Sequence, residues 1–85
     1  MAEFASNDDF YDFIDGLSNR LTEAGYEVHG RRLHVLLHEV PWTTSTELFG
    51  ELRQSFLEIR AAAQLSSDLN LDLDRCLQAL QKALH

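Results

Sequence analysis

The 85-residue chain has one cysteine, one proline and four glycines. A single cysteine makes no intramolecular disulfide and excludes metal sites built from paired cysteines. Cations are scarce as well: 7 Lys and Arg stand against 14 Asp and Glu, a net charge of −7 with histidine neutral. That balance excludes a nucleic-acid binder relying on bulk charge, which needs clustered Lys and Arg. No apolar run approaches the roughly 18–20 residues of a membrane span. No charged-then-apolar leader stands at the N-terminus, so the expected setting is the reducing cytoplasm, off the membrane. There is no glycine-rich phosphate loop, no G-x-S-x-G elbow and no H-E-x-x-H pair, since His38-Glu39 lacks its second histidine. Asp68, Asn70 and Asp72 match the opening of a calcium-binding EF-hand loop. The match then fails, with Leu73 where the turn needs glycine and Ala79 where the bidentate glutamate belongs. No cofactor is implied and no acid–base constellation suggests an enzyme.

What the chain does have is helix. Its hydrophobic fraction of 45% is that of a globular domain, and Leu, Ala, Glu, Gln and Arg dominate. The first helix is expected after Asn7 as N-cap, with Asp8 and Asp9 in the positive first turn and Gly25 closing it. Phe10, Phe13, Ile14, Leu17, Leu21 and Ala24 form its apolar stripe. A second helix runs from Glu27 to Glu39 with Leu33, Leu36, Leu37 and Val40 inward, weakened by Gly30 and stopped before Pro41. Thr44-Ser45-Thr46-Glu47 reads as a capping box opening a third helix, whose stripe is Leu48, Leu52, Phe56, Ile59 and Ala63. Ser67 or Asn70 caps a fourth, with Leu69, Leu73, Cys76, Leu77, Leu80 and Leu84 inward. The expectation is an all-α, compact four-helix bundle: a flexible segment 1–6, then a single domain 7–85.

So small a core leaves little room for an enclosed substrate pocket, which directs attention to surfaces. Residues 1–25 hold six acids against Arg20 alone, and so carry −5 of the total −7. Asp8, Asp12, Asp15, Asn19 and Glu23 fall in one row along the first helix at ~100° per residue. Such a row is either a solvated face or a docking face for a basic partner, steering association more than adding affinity. Helix two carries Glu27, Arg31, His34 and His38 in a complementary row. An antiparallel neighbour would set Arg31 and the histidines against the aspartates. His34 and His38, at i and i+4, can share a metal ion, with a third ligand to come from His29, Glu39, His85 or another chain. His29 itself leans toward the apolar face. Arg53, Leu57 and Arg60 form a second patch, because an off-stripe leucine between arginines resembles an interface centre. Trp42 either covers the end of the core or adds an exposed anchor to that patch. Cys76, on the core face, is expected to be inert.

Acyl carrier proteins are also small, acidic and four-helical, but their Asp-Ser-Leu attachment motif is missing: the helix-opening serines read Thr44-Ser45-Thr46 and Ser66-Ser67-Asp68. In size, acidity and helical content the chain is similar to bacterial immunity proteins, a similarity of class that carries no residue motif. The favoured reading is a non-enzymatic adaptor or inhibitor that binds another protein through the acidic row. The alternatives are a metal-binding protein using His34 and His38, and a self-associating structural protein, with a homodimer formed through Leu57 or Trp42.

Overall fold

Three of the four helices begin on a side-chain cap. In the computed structural model, which describes residues 4–84, the helices are α1 (Asn7–Glu23), α2 (Glu27–His38), α3 (Ser45–Ala62) and α4 (Ser67–Ala83). The Ser6, Thr44 and Ser66 hydroxyls accept from the backbone N–H of Asp9, Glu47 and Leu69 at 3.1, 3.2 and 3.3 Å. Two caps therefore differ from expectation. Ser6 rather than Asn7 caps α1, and Ser66 rather than Ser67 or Asn70 caps α4. Both serines have extended backbones that aim the hydroxyl at the third N–H of the helix. Asn70 instead donates to the Leu65 carbonyl at 3.2 Å. The capping box opening α3 is half-formed, since the Thr44 hydroxyl also donates to the Glu47 carboxylate at 3.2 Å.

At its other end α1 closes with a left-handed glycine. Gly25 has φ +96°, its N–H reaches the Thr22 carbonyl at 3.1 Å, and the Tyr26 N–H reaches Leu21 at 2.8 Å. That pair of bonds is a Schellman motif, and glycine takes the positive φ without steric penalty. Tyr26 then ties this turn to the α3–α4 loop, its hydroxyl donating to the Gln64 carbonyl at 2.8 Å.

Each helix packs on its sequence neighbours and α1 also packs on α4, while across the α1–α3 diagonal Phe49 meets the Phe10 and Tyr11 rings, with centroids 6.0 and 6.3 Å apart. The neighbours run antiparallel: Ser18 meets Gly30 and Asp15 meets His38, while Arg20 meets Asp72 and Phe13 meets Arg75. The result is a four-helix bundle with no strand among the described residues. Its fully buried centre includes Phe10, Ile14, Leu17, Leu21, Leu52, Phe56, Ile59, Leu73, Cys76 and Leu80. From α2 only Gly30 and Leu33 are buried. Leu36, Leu37 and Val40, expected inside, are half-buried, because this short helix leans on α1 by one edge. Ala24, expected at the end of the α1 stripe, is exposed.

Of the segment expected to be flexible, residues 1–3 lie outside the described residues, Phe4 packs against the core, and Ala5 and Ser6 are exposed. Phe4 packs on Phe10 and Phe13 with ring centroids 5.0 and 5.2 Å apart. The Arg75 guanidinium of α4 covers Phe4 and Phe13, at 5.5 and 4.9 Å from their centroids. In the loop between α2 and α3, the Trp42 indole donates to the Leu36 carbonyl at 2.6 Å and packs against the core. Trp42 is half-buried there. No helix among the described residues is long and apolar enough to cross a membrane.

Candidate functional site

At Gly30, α2 comes close to the backbone of α1. A Cβ placed there would stand 2.4 Å from the Thr22 hydroxyl, 2.6 Å from the Ser18 carbonyl oxygen and 3.3 Å from the Thr22 nitrogen. The buried Ser18 hydroxyl donates to the Gly30 carbonyl at 2.6 Å, so α1 and α2 are locked at this point. His34 follows Gly30 by about one turn on α2, and Asp15 precedes Ser18 by about one turn on α1. Antiparallel packing therefore brings these side chains to one side of the lock.

His38, one turn beyond His34, completes the group. Its Nε2 lies 2.7 Å from Asp15 Oδ1 and 3.0 Å from Oδ2. The His34 and His38 rings stand 4.8 Å apart between centroids. One donor atom from each of Asp15, His34 and His38 falls within 4.8 Å of the other two. Asp15 is half-buried and both histidines are exposed. An open groove of about 360 Å³ runs beside His34 along the same seam, lined also by Ser18, Asn19, Thr22 and Arg31.

The third donor is the residue that sequence reasoning missed. Among the residues considered for that role, His29 is half-buried and Glu39 is exposed, and neither joins the cluster. His85 lies outside the described residues. The signal available was the facing of the aspartate row by the histidine row, which selects Asp15 once the helix register is known. Arg31 lines the groove and makes no ion pair with the row.

The rest of the acidic row faces solvent. Asp8, Asp12 and Glu23 are exposed, as is Asp9 beside them, and none is in an ion pair among the described residues. Elsewhere, carboxylates on the inner edges are matched across helices: Asp72 by Arg20, Glu58 by Arg32 and Asp74 by Arg60. The Gln54 amide and then the Arg32 guanidinium hold the Glu58 carboxyl below its ordinary value.

Of the second patch, Arg53, Leu57 and Arg60 share one face of α3 by their spacing of four and three, and Trp42 lies in the loop before that helix. Arg53 is exposed and Leu57 half-buried, while Arg60 pairs with Asp74 of α4 at 2.6 Å. Trp42 precedes α3 and Arg60 lies in its last turn, some 22–27 Å apart at 1.5 Å per residue. The large exposed apolar side chains are instead Val28 and Leu71, at 80% and 64% exposure. Cys76 is fully buried, and burial, followed by the Asp72 charge, pushes its thiol up to about 12. It stays protonated and does not act as a nucleophile at neutral pH.

Comparisons of the chain with protein families, with curated proteins and with solved structures give no match, so the reading of its surfaces rests on their chemistry.

Proposed function

We propose that this chain is a non-enzymatic interaction module, an adaptor or inhibitor that docks a basic partner protein through the outward face of α1. One observation carries the reading. Asp8, Asp12 and Glu23 are exposed in one row on one helix face, and none of them is in an ion pair among the described residues. Uncompensated charge of one sign raises the rate of encounter with an oppositely charged surface and disfavours acidic partners. The single, buried cysteine requires no oxidising compartment and supports a cytoplasmic place of action.

The test is capture from host lysate on the immobilised chain, beside the variant Asp8→Asn/Asp12→Asn/Glu23→Gln. These side chains are exposed, so the variant keeps the fold. A basic partner should be held at low salt and released at high salt, as the screening length shrinks from about 10 Å at 0.1 M to about 3 Å at 1 M. The triple variant should weaken binding about tenfold, at roughly 0.5 kcal/mol per exposed charge. A partner held equally by the variant, or no basic partner at low salt, overturns the reading.

A further inference from the structure

The Gly30 lock does more than join two helices, since it gathers metal-binding donor atoms from both. We propose that Asp15, His34 and His38 form a site for one divalent transition-metal ion of the zinc class, bridging α1 and α2. The site adjoins the docking face and shares Asp15 with its acidic row, while its two histidines lie on α2 across the α1–α2 seam.

The donor set selects the class of ion. Two imidazoles and one carboxylate suit borderline ions such as zinc, nickel or cobalt, whereas calcium and magnesium require shells of oxygen. Zinc sites with three protein ligands and one open position use this kind of set. The geometry is close to what an ion needs. With metal–ligand bonds of about 2.0–2.2 Å, donors in a tetrahedral shell lie about 3.4 Å apart. Asp15 and His38 already approach to 2.7 and 3.0 Å, and the largest separation in the set is no more than 4.8 Å. His34 is exposed, so rotation of its side chain closes the remaining gap without moving the backbone. The supports are rigid: both histidines sit on α2 at helical spacing, and α1 is held against it by the Ser18–Gly30 bond. The remaining coordination position belongs to water from the groove beside His34. The chain's net charge of −7 raises the local cation concentration.

Zinc chloride titrated into the untagged full-length chain, followed by calorimetry, tests the site. One ion per monomer is expected. Removing any single ligand should weaken binding at least tenfold, since even outer partners of such sites change affinity about 10–100-fold. His34→Gln, His38→Gln and Asp15→Asn each serve, with His29→Gln as the control that binds normally. Asp15→Asn still hydrogen-bonds His38, so its loss of zinc separates coordination from packing. Cobalt should give the visible absorption of a tetrahedral ion in the wild type and lose it in His34→Gln/His38→Gln. Circular dichroism confirms that each variant is folded before titration. No saturable heat in the wild type, full affinity in the double variant, equal binding of calcium, or one ion per two chains would each overturn the assignment.

Discussion

Replacing Gly30 by alanine sets helix propensity against packing, and the two predict opposite signs. In a solvent-exposed helix interior, Gly→Ala stabilises by about 0.5–1 kcal/mol. At Gly30 the new methyl meets the Thr22 hydroxyl at 2.4 Å and the Ser18 carbonyl oxygen at 2.6 Å. The first obstacle is a side chain that can turn, but the second is backbone in the middle of α1. The helices must separate, which costs about 1–3 kcal/mol as overpacking. Separation also stretches the buried Ser18–Gly30 hydrogen bond, and an unsatisfied buried group costs about 1–3 kcal/mol. After subtracting the propensity gain, Gly30→Ala should destabilise by about 2–4 kcal/mol, a large part of the roughly 4–13 kcal/mol expected for a chain of this length.

Thermal and urea unfolding of Gly30→Ala, Gly16→Ala and Gly50→Ala measure this directly. Gly16 and Gly50 are exposed helical positions where an added Cβ meets nothing within 4 Å. Each of those variants should gain about 0.5–1 kcal/mol. Gly30→Ala should lose about 8–32 °C in melting temperature at roughly 4–8 °C per kcal/mol. Adding Thr22→Ala should restore part of the loss, because it removes the nearer obstacle and leaves the carbonyl. If Gly30→Ala unfolds at a higher temperature than wild type, with Gly16→Ala behaving as expected, the close-approach argument is refuted.

Three further outcomes follow from single side chains. The Ser55 hydroxyl is buried without a hydrogen-bond partner, so Ser55→Ala should stabilise by about 1 kcal/mol in urea unfolding. Phe4→Ala removes a ring packed between Phe10, Phe13 and Arg75. It should cost about 1–2 kcal/mol, and a chain whose stability does not change would show that residues 4–6 contribute nothing. Cys76 has its thiol pushed up to about 12 from an ordinary 9.0. The folded state then holds a proton that the unfolded state releases, so this contribution is intact below pH ~9 and lost as pH rises toward ~12. Stability should fall by up to about 1.4 kcal/mol per pH unit in that window, more steeply in wild type than in Cys76→Ala. Thiol reagents at pH 8 should label the native chain no faster than it unfolds.

The helices were legible because three- and four-residue apolar spacing survives in any bundle, and because Gly25 and Thr44 mark their boundaries. The caps of α1 and α4 were displaced by one residue or more. Ser6 and Asn7, like Ser66 and Ser67, are chemically able caps, and only the extended backbone at Ser6 and Ser66 decides between them. Leu36 and Leu37 were misplaced for a different reason. Periodicity reports which face of α2 is apolar, but not how far that face is covered once the helix leans on α1. Gly30 was read as a local weakness of its helix, since propensity has no knowledge of a neighbour, although its absent side chain is what sets the register of α1 on α2. The same gap hid Asp15. It was visible as one acid of a row, and its pairing with the two histidines depends on a helix-to-helix register that no spacing within either helix records.

Asp15 is also where the two proposals meet. It belongs to the acidic row by its place on α1 and to the metal cluster by its contact with His38. A divalent ion held there cancels two of the four negative charges of Asp8, Asp12, Asp15 and Glu23, and so weakens the field that draws a basic partner. Zinc should therefore slow association with that partner in the wild type and have no effect in His34→Gln/His38→Gln. Asp8, Asp12 and Glu23 are not among the donors of the cluster, so neutralising them should reduce docking while leaving zinc affinity within a few-fold. Association rates measured with and without zinc in these two backgrounds separate the faces. Equal slowing by zinc in both would mean that the ion acts elsewhere on the chain, and that the seam at Gly30 serves packing alone.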